Sequence, residues 1–393
     1  MTDHERQTRP PGNDSWGAVS CLHALAAPGS GALTGWMAVN NLDEAAVEWL
    51  RVRGLAPLTY HRLSRAGLLG QAAKTPAALL RLAHYAATDD AERRERDLRR
   101  VLTALTAAGI TPVLFKGAAL TYTVYPDPAC RQMGDLDLWL TAEEMPVALS
   151  ALERIGYAAS VNERRPLAYQ ARYLGEIALK RPTDGVVGVE LHWSAFPGVW
   201  LTRTAAVDHV AIWQRARPVT VAGCPALALA PEYALIQVAV HLAVNHQMAA
   251  PWLRGLLDVA LLARAQAVDW ATIAERAAGW RVGTAVWLVL QLTVELFGLV
   301  EAAPILSRLA PSPVRRRLLD CLVNTASMLA LRNLTRTSLR YALLLLLVDR
   351  PADAARLAWR ALWPEGDWLA ARYGCAGAWV RLRHLAGAVR GRV

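Results

Sequence analysis

The chain has 393 residues, 54% of them hydrophobic, and its 43 basic and 33 acidic side chains give a formal net charge of +10. This length provides ample hydrophobic core for two or three domains. The five cysteines are odd in number and lack CxxC or paired spacing, so neither a disulfide framework nor a zinc motif follows from them.

No segment has the features of a secretory signal or of a membrane span. The first residues are polar, with no apolar run after the charges. The stretch from Thr284 to Val300 comes closest to a span, but it contains Gln291 and Glu295. We therefore expect a cytoplasmic protein without a transmembrane segment.

The N-terminal part divides into two regions of different composition. Residues 1–35 are rich in Gly, Pro and Ser, which predicts a flexible segment attached loosely to the rest. Residues 36–109 follow a helical pattern, in which Asp43 is placed to cap a helix over 44–53. A proline after Thr75 then opens a second helix, which is long and rich in charge.

The middle of the chain, residues 110–230, alternates strand and helix patterns and is expected to form an αβ domain. Turn residues indicate two hairpins in this region. Pro182 and Gly185 stand in the turn of the first hairpin, and Gly223 stands in the turn of the second. The predicted elements are strand 111–116, helix 118–125, strand 135–140, helix 143–155, a hairpin over 175–193, a helix over 205–217 and a short hairpin over 218–229.

Residues 231–393 have a helical pattern broken at prolines and predict a helical C-terminal domain. Tryptophans stand among arginines in its last part, which suits packing on the domain, with a partner helix or a membrane surface as alternatives. Arginine clusters indicate solvated helix faces, with nucleic acid or an anionic membrane as the alternative partner. The tryptophans are Trp359, Trp363, Trp368 and Trp379, and the clusters are 93–100, 315–317 and 381–392.

Two carboxylates on one predicted strand indicate a cation site. Asp135 and Asp137 stand two residues apart, so their side chains share one face of the strand. On an otherwise apolar strand they repel each other unless a cation holds them, and Mg²⁺ commonly binds such oxygen ligands together with substrate phosphates. An apolar strand ending in Lys116 and Gly117 precedes them. The pattern therefore predicts a site for phosphate chemistry.

Glu190 supplies a third carboxylate. It lies in the second strand of the predicted hairpin, between two apolar residues, where an ionised side chain needs a partner. If this strand lies beside the strand of Asp135 and Asp137, the three carboxylates converge on one or two metal ions. Two ions roughly 3.5–4 Å apart can clamp the attacking and leaving oxygens of an in-line displacement at phosphorus.

These motifs resemble those of nucleotidyltransferases in the DNA polymerase β-like superfamily, and more closely those of a bacterial subfamily of largely uncharacterised members. The resemblance implies an α+β fold: a small mixed-sheet nucleotidyltransferase core with N-terminal helices and a large α-helical C-terminal region. It covers about residues 40 to 300. The matching segments are Lys116-Gly117-Ala-Ala-Leu120, Arg131-Gln-Met-Gly-Asp135-Leu-Asp137 and Glu190-Leu-His-Trp193.

The resemblance also implies an activity. A nucleoside monophosphate is transferred from an NTP, such as ATP, to a hydroxyl or phosphate acceptor, with Mg²⁺ in a two-metal site as cofactor. The implied roles are metal binding for Asp135, Asp137 and Glu190 (the last alternatively a general base), phosphate binding for Lys116 and Gly117, and charge stabilisation at phosphorus for Arg131.

The acceptor and the retention of activity stay open. Likeness to accessory enzymes of polysaccharide and natural-product gene clusters favours a small molecule or a peptide as acceptor. The rival interpretation is a catalytically degenerate member that binds a nucleotide, a partner protein or an anionic surface. Ala118 favours this rival, because many members of the superfamily have a hydroxyl there that touches the triphosphate, whereas the intact carboxylates oppose it.

Several residues near the motifs have less specific interpretations. His192 shares the strand face of the third carboxylate, and a structural role is favoured over contact with a metal or phosphate. Trp193, on the opposite face, is expected in the core. His241 and His246, with Asp258, lack the spacing of zinc ligands, so we expect a polar network that fixes the helical domain or contacts the acceptor.

Overall fold

The computed structural model describes residues 17–161, 166–182, 187–249 and 253–389. Within these ranges, seven strands form one mixed sheet. They are β1 (Val113–Leu114), β2 (Asp135–Trp139), β3 (Ala158–Ala159), β4 (Glu176–Lys180), β5 (Gly188–His192), β6 (Arg217–Val221) and β7 (Cys224–Ala228). Their spatial order is β3-β4-β5-β2-β1-β7-β6.

Strand β2 lies in the middle of the sheet, between β5 and β1. It pairs in parallel with β5 and antiparallel with β1, and β1 pairs in parallel with β7. The pairs β3–β4, β4–β5 and β6–β7 are antiparallel, so two hairpins flank the centre. The predicted α+β class with a small mixed sheet is confirmed.

Helices make up most of the rest of the described chain. Short 3₁₀ turns span Leu69–Gln71, Pro128–Cys130 and Val300–Ala302, and π-helical turns span Gln170–Leu174 and His241–Asn245. The α-helices are Ala18–Ala26, Gly31–Val39, Glu44–Val52, Ala56–Arg65, Lys74–Ala107, Lys116–Thr123, Met145–Glu153, Leu167–Tyr169, Val199–Thr204, His209–Gln214, Pro231–Val240, Leu253–Ala265, Trp270–Gly279, Gly283–Phe297, Ala303–Leu309, Pro313–Leu322, Thr325–Leu329, Thr337–Leu347, Pro351–Leu362, Gly366–Tyr373 and Ala378–Val389.

The long helix Lys74–Ala107 covers one face of the sheet. Its exposed side carries ion pairs at i,i+4 spacing, such as Glu95 with Arg99 at 3.1 Å, which support a helix of this length. Its other side buries Leu98 and Leu102 completely. This amphipathic pattern seats the helix on the sheet and leaves the opposite face of the sheet for other elements.

Two hydrophobic cores lie on opposite faces of the sheet. One joins Leu98 of the long helix to Leu136 and Leu138 of β2. The other contains Trp139 of β2 and buried side chains from helices before residue 70 and after residue 230. The N-terminal and C-terminal helices therefore share one core, although they are far apart in sequence.

The predicted flexible N-terminal segment, 1–35, does not hold for its described part. Residues 17–35 contain most of two helices, and Leu22 and Leu25 of the first have no exposed surface. The prediction rested on the content of Gly, Pro and Ser, whereas the helical spacing of the apolar residues determines the structure here. Residues 1–16 of that segment lie outside the described residues.

Predicted helices are recovered with shifted or shorter bounds, and the helix predicted over 118–125 spans Lys116–Thr123. Asp43 caps its helix as expected, because its carboxylate accepts a hydrogen bond from the backbone N–H of Ala46 at 2.8 Å. The helix predicted over 205–217 is shorter, because only His209–Gln214 is helical there and a separate helix, Val199–Thr204, precedes it. The strands of both predicted hairpins pair as expected, whereas residues 183–186 in the turn of the first lie outside the described residues.

The C-terminal tryptophans only partly follow the packing expectation. Trp368 packs edge-on against Tyr169, with ring centroids 5.7 Å apart. Trp359, Trp363 and Trp379 are 60%, 42% and 78% exposed, so the packing expectation is wrong for these three. A protein or membrane partner for this surface stays a prediction. In the described part of the chain, no helix is both long and apolar enough to span a bilayer.

Candidate active site

The alternation of side chains along β2 separates apolar from acidic residues. Leu136 and Leu138 are fully buried in the core under the long helix. Asp135 and Asp137 therefore project from the other face of the sheet, as the predicted strand requires. Only 3% of the Asp137 surface is exposed, so its charge needs compensation from nearby groups.

The pairing of β2 with its neighbours brings further acidic side chains to this face. In the parallel pair of β2 and β5, Asp137 stands directly opposite Glu190. In the antiparallel pair of β4 and β5, Glu176 stands opposite His192. The strand of Glu190 thus lies beside the strand of Asp135 and Asp137 as expected, and Glu176 of β4 joins the group.

A cavity of about 430 Å³ opens over these carboxylates, between the sheet and the helices that follow residue 230. Its walls combine acidic, cationic and imidazole side chains. Every residue with a role predicted from the sequence lies at it, namely Lys116, Gly117, Arg131, Asp135, Asp137 and Glu190. Polar neighbours without such a role are Glu176, His241, Asn245, His246, Arg254 and Asp258.

Lys116 neutralises part of the acidic cluster. It begins the helix Lys116–Thr123 directly after β1, with a left-handed φ of 51° that non-glycine residues seldom adopt. Its Nζ donates a hydrogen bond to Asp137 Oδ1 at 2.7 Å. Burial alone lowers the pKa of Lys116, but the charges of Asp137 and Glu190 raise it above its usual value. The lysine is therefore a fixed positive charge at the carboxylates.

His192 is fully buried among three carboxylates. Its Nε2 lies 3.0 Å from Asp137 Oδ1, within hydrogen-bond distance, and 3.7 Å from Glu190 Oε2. Its Nδ1 lies 3.4 Å from Glu176 Oε2 without hydrogen-bond geometry. His192 therefore contacts carboxylates of the cluster while fully shielded from solvent.

One group of side chains has the spacing of a metal site. Ligand atoms of Asp137, Glu190 and His192 all lie within 4.8 Å of one another. Asp135 lines the same cavity but falls outside this group. The predicted metal ligands were Asp135, Asp137 and Glu190. In this group the imidazole of His192 stands in place of Asp135.

The electrostatics of the three carboxylates differ. Burial and the charge of Glu176 raise the pKa of Glu190 to about 8. Burial and the charge of Asp137 raise the pKa of Asp135. For Asp137 burial acts in the same direction, but Lys116 and the His192 hydrogen bond outweigh it and hold the pKa of this carboxyl well below its usual range.

Arg131 is tied to the helical part of the chain. Its Nε and Nη2 donate to the two carboxylate oxygens of Asp258 at 3.1 and 2.7 Å, a bidentate pair. The Tyr125 hydroxyl donates to the same carboxylate at 2.6 Å. Asp258 therefore belongs to a polar network that fixes the helix Leu253–Ala265 against the αβ part, one of the two roles expected for it.

The two histidines at the cavity form a pair. The rings of His241 and His246 meet edge-on with centroids 4.3 Å apart. Burial and the charge of Lys116 lower the pKa of both, in the case of His246 to about 4. Both rings are therefore neutral at pH 7. They face the cavity as polar groups without adding to its charge.

Glu176 and Asn245 were not predicted as site residues. The hairpin pattern could have identified Glu176, because residues at the open end of a hairpin share a face when their register allows it. Asn245 had no such indication. It lies in the π-helical turn His241–Asn245, and π-helical turns are frequent at functional sites but cannot be recognised from residue types.

The family can now be identified. The model of a family described as "Uncharacterised nucleotidyltransferase" matches residues 41–298. The chain belongs to this family. The match includes every strand of the sheet and all the residues that line the cavity. Neither the curated proteins nor the solved structures gave a significant match.

Proposed function

We propose that this protein is an Mg²⁺-dependent nucleotidyltransferase that moves a nucleoside monophosphate from an NTP to a hydroxyl or phosphate acceptor. The observation that carries the proposal is the register of β2 and β5. It sets Asp137 directly opposite Glu190, facing a cavity that Asp135 also lines. Membership of a nucleotidyltransferase family supports the same chemistry. The order of the motifs supports placement in the DNA polymerase β-like superfamily.

The residues at the cavity fit a divalent cation with oxygen ligands. Asp135, Asp137 and Glu190 would hold it, with His192 beside them. The raised pKa of Glu190, caused by burial and neighbouring carboxylates, reports an excess of negative charge that one lysine does not offset. Mg²⁺ bound there would balance phosphate charge and make the acceptor hydroxyl more acidic.

The side chains of the protein supply the remaining steps. The acceptor oxygen attacks the α-phosphorus, the bond to the leaving pyrophosphate breaks, and the acceptor proton passes to a base. Glu190 suits that role because it stands opposite Asp137 and lines the cavity, with binding of the acceptor-side cation as its alternative role. Lys116 and the amide region of Gly117 hold phosphate oxygens, and Arg131 contributes charge from its place beside Asp258.

A second cavity offers room for the acceptor. It has a volume of about 270 Å³ and shares Asn245 with the first cavity, so the two adjoin. Rings of Tyr169, Trp200, Tyr341 and Trp368 line it. A small molecule or a peptide side chain with apolar or planar surface suits these walls. The acceptor side would then include helices after residue 230, which contribute Tyr341 and Trp368.

The rival function is a degenerate member that binds nucleotide without transferring it. The sequence argument for it was Ala118 in place of a hydroxyl. Ala118 has no exposed surface and lies in the core under the long helix, so this position does not reach the cavity. The missing hydroxyl therefore carries less weight than the retained carboxylates.

Thermal unfolding in the presence of each NTP tests the proposal. A ligand that binds only the folded protein at about 100 times its dissociation constant adds roughly 2.7 kcal/mol, which is readily seen as a rise in melting temperature. We expect a rise that requires Mg²⁺ and disappears in Asp135→Asn and Asp137→Asn, with pyrophosphate release once an acceptor is supplied. An equal rise without Mg²⁺ and in both variants would support the degenerate binding module instead.

A further inference from the structure

The three cationic side chains at the first cavity differ in their partners. Lys116 pairs with Asp137, and Arg131 pairs with Asp258 through two hydrogen bonds. Across the described ranges, the Arg254 side chain forms neither a hydrogen bond nor an ion pair with another residue. Arg254 is therefore the cation whose hydrogen-bonding groups remain available to a ligand in the cavity.

The surroundings of Arg254 make its charge costly for the protein alone. Asp258, the carboxylate whose charge acts on Arg254, already accepts from Arg131 and Tyr125. Burial and the charge of Arg131 lower the pKa of Arg254, which shows that its charged form is poorly compensated. Leaving a guanidinium partly buried without a counterion reduces stability.

The position of Arg254 in its helix adds to this cost. It is the second residue of the helix Leu253–Ala265, where the partial charge of the helix end is positive. A cation is disfavoured at such a place, whereas an anion is favoured by the helix end and by the guanidinium together. On its far side, Nη1 lies close to Gly54, where an added Cβ would be 3.3 Å away.

The cavity thus has the carboxylates of Asp135 and Glu190 on the sheet, and on the helical side the guanidinium of Arg254, next to an Asp258 that is bonded to Arg131. A nucleoside triphosphate with a bound cation matches this distribution. Its metal-bearing part suits the carboxylates, and phosphate oxygens without a metal partner suit a planar guanidinium, which binds two oxygens at once.

We infer that Arg254 is the polyphosphate-binding residue of this site and contacts the part of the triphosphate that leaves as pyrophosphate. This inference rests on the proposed function for the identity of the ligand. The anion site itself can be tested without metal or transfer. Arg254 would join Lys116 in holding the phosphates, while Arg131 keeps its bond to Asp258.

The test uses inorganic tripolyphosphate as probe, in EDTA, with thermal unfolding of the full chain. For wild type we expect the melting temperature to rise with tripolyphosphate and the rise to shrink with salt. Arg254→Met should bind the probe roughly tenfold more weakly or worse, because a charge-assisted bidentate contact is lost. Arg254→Lys should keep part of the rise, since it keeps the charge.

The same experiment separates a ligand-binding role from a structural one. Without ligand, Arg254→Met should melt at or above the wild-type temperature, because an uncompensated charge is removed. Arg264, in the same helix, is a matched control: its Nη2 donates to the Gly298 carbonyl at 2.7 Å. Arg264→Met should melt lower but keep the response to tripolyphosphate.

Two results would overturn the inference. One is an unchanged tripolyphosphate response in Arg254→Met. The other is a loss of ligand-free stability in Arg254→Met as large as in Arg264→Met, which would mark a structural arginine. Failure of the proposed function gives another result. The rise in melting temperature with ATP would then be the same with and without Mg²⁺ and in Asp137→Asn, while wild type would still respond to tripolyphosphate in EDTA.

Discussion

Asp137 and Glu190 stand directly opposite each other on parallel strands, yet the pKa of Asp137 lies below its ordinary value and the pKa of Glu190 lies above it. Lys116 and His192 bond to Asp137 and hold its pKa below the usual range, whereas burial and neighbouring carboxylates raise the pKa of Glu190 to about 8. One strong acid and one weak acid thus face the same cavity. Such a division between paired carboxylates commonly accompanies acid–base roles.

The first prediction concerns the pH dependence of stability through Glu190. Folded protein holds a proton on Glu190 up to about pH 8, whereas the unfolded chain releases it near the ordinary value of 4.5. The free energy of unfolding of wild type should therefore fall as pH rises from 6.5 to 8, by about 1 kcal/mol per unit or less. Glu190→Gln should lack this fall, as measured by urea unfolding at several pH values.

The comparison of wild type with Glu190→Gln separates the contribution of Glu190 from that of the histidines. His246, with a folded pKa of about 4 against an ordinary 6.5, contributes the opposite slope, because its unfolded form takes up a proton first. At pH 6.5 about half of the unfolded side chains still bind a proton, so this contribution is complete only above about pH 7.5, and it is the same in wild type and Glu190→Gln. Saturating Mg²⁺ should also abolish the fall in wild type, since a bound cation favours the ionised carboxylate. Parallel curves for wild type and Glu190→Gln would contradict the prediction.

The second prediction is that Lys116 acts as an internal counter-ion of the acidic cluster. Lys116→Met leaves the buried carboxylate of Asp137 without its ion pair, so we expect a loss of about 3–5 kcal/mol in metal-free buffer. Mg²⁺ should then stabilise Lys116→Met more than it stabilises wild type. Lys180→Met is the control, because Lys180 is exposed on β4 and its removal should change stability by about 0.5 kcal/mol or less. Equal gains from Mg²⁺ in wild type and Lys116→Met would contradict the counter-ion role.

Much of the candidate site follows from local pattern. The alternation of the strand places Asp135 and Asp137 on one face, and the hairpin pattern places Glu190 in a neighbouring strand. The ion-pair partners of the cationic side chains cannot be predicted from local spacing. Arg131 and Asp258 are 127 positions apart, and no local spacing connects them. The partner of Arg131 depends on how the helices pack on the sheet, which local spacing does not determine.

The N-terminal helices and Lys116 show two further limits of the sequence. Composition predicted a flexible segment up to residue 35, but burial of Leu22 and Leu25 in the shared core outweighs the low helix propensity of the glycines around them. Lys116 was expected at the end of a strand. It starts a helix instead, in a left-handed conformation, and its Nζ donates to Asp137.

The third prediction concerns the network around Asp258. Asp258→Asn removes a carboxylate that accepts two bonds from Arg131 and one from Tyr125, and leaves the guanidinium uncompensated. We expect a loss of about 3–5 kcal/mol on urea unfolding. Tyr125→Phe, which removes one hydrogen bond and keeps the ion pair, should lose only about 1 kcal/mol. Similar losses in the two variants would show that the ion pair adds nothing.

The fourth prediction concerns the close approach of Arg131 to Gly117. A Cβ added at Gly117 would lie 2.8 Å from Arg131 Nη1 and 3.1 Å from the Cβ of Met133. Gly117→Ala should therefore displace the guanidinium and cost about 1–3 kcal/mol, more than the gain in helix propensity. Gly134, at the same cavity, has no atom within 4 Å of an added Cβ, so Gly134→Ala is the matched control. Thermal unfolding with and without ATP and Mg²⁺ measures both variants. If Gly117→Ala keeps wild-type stability and the full response to ATP, the glycine is not required by Arg131.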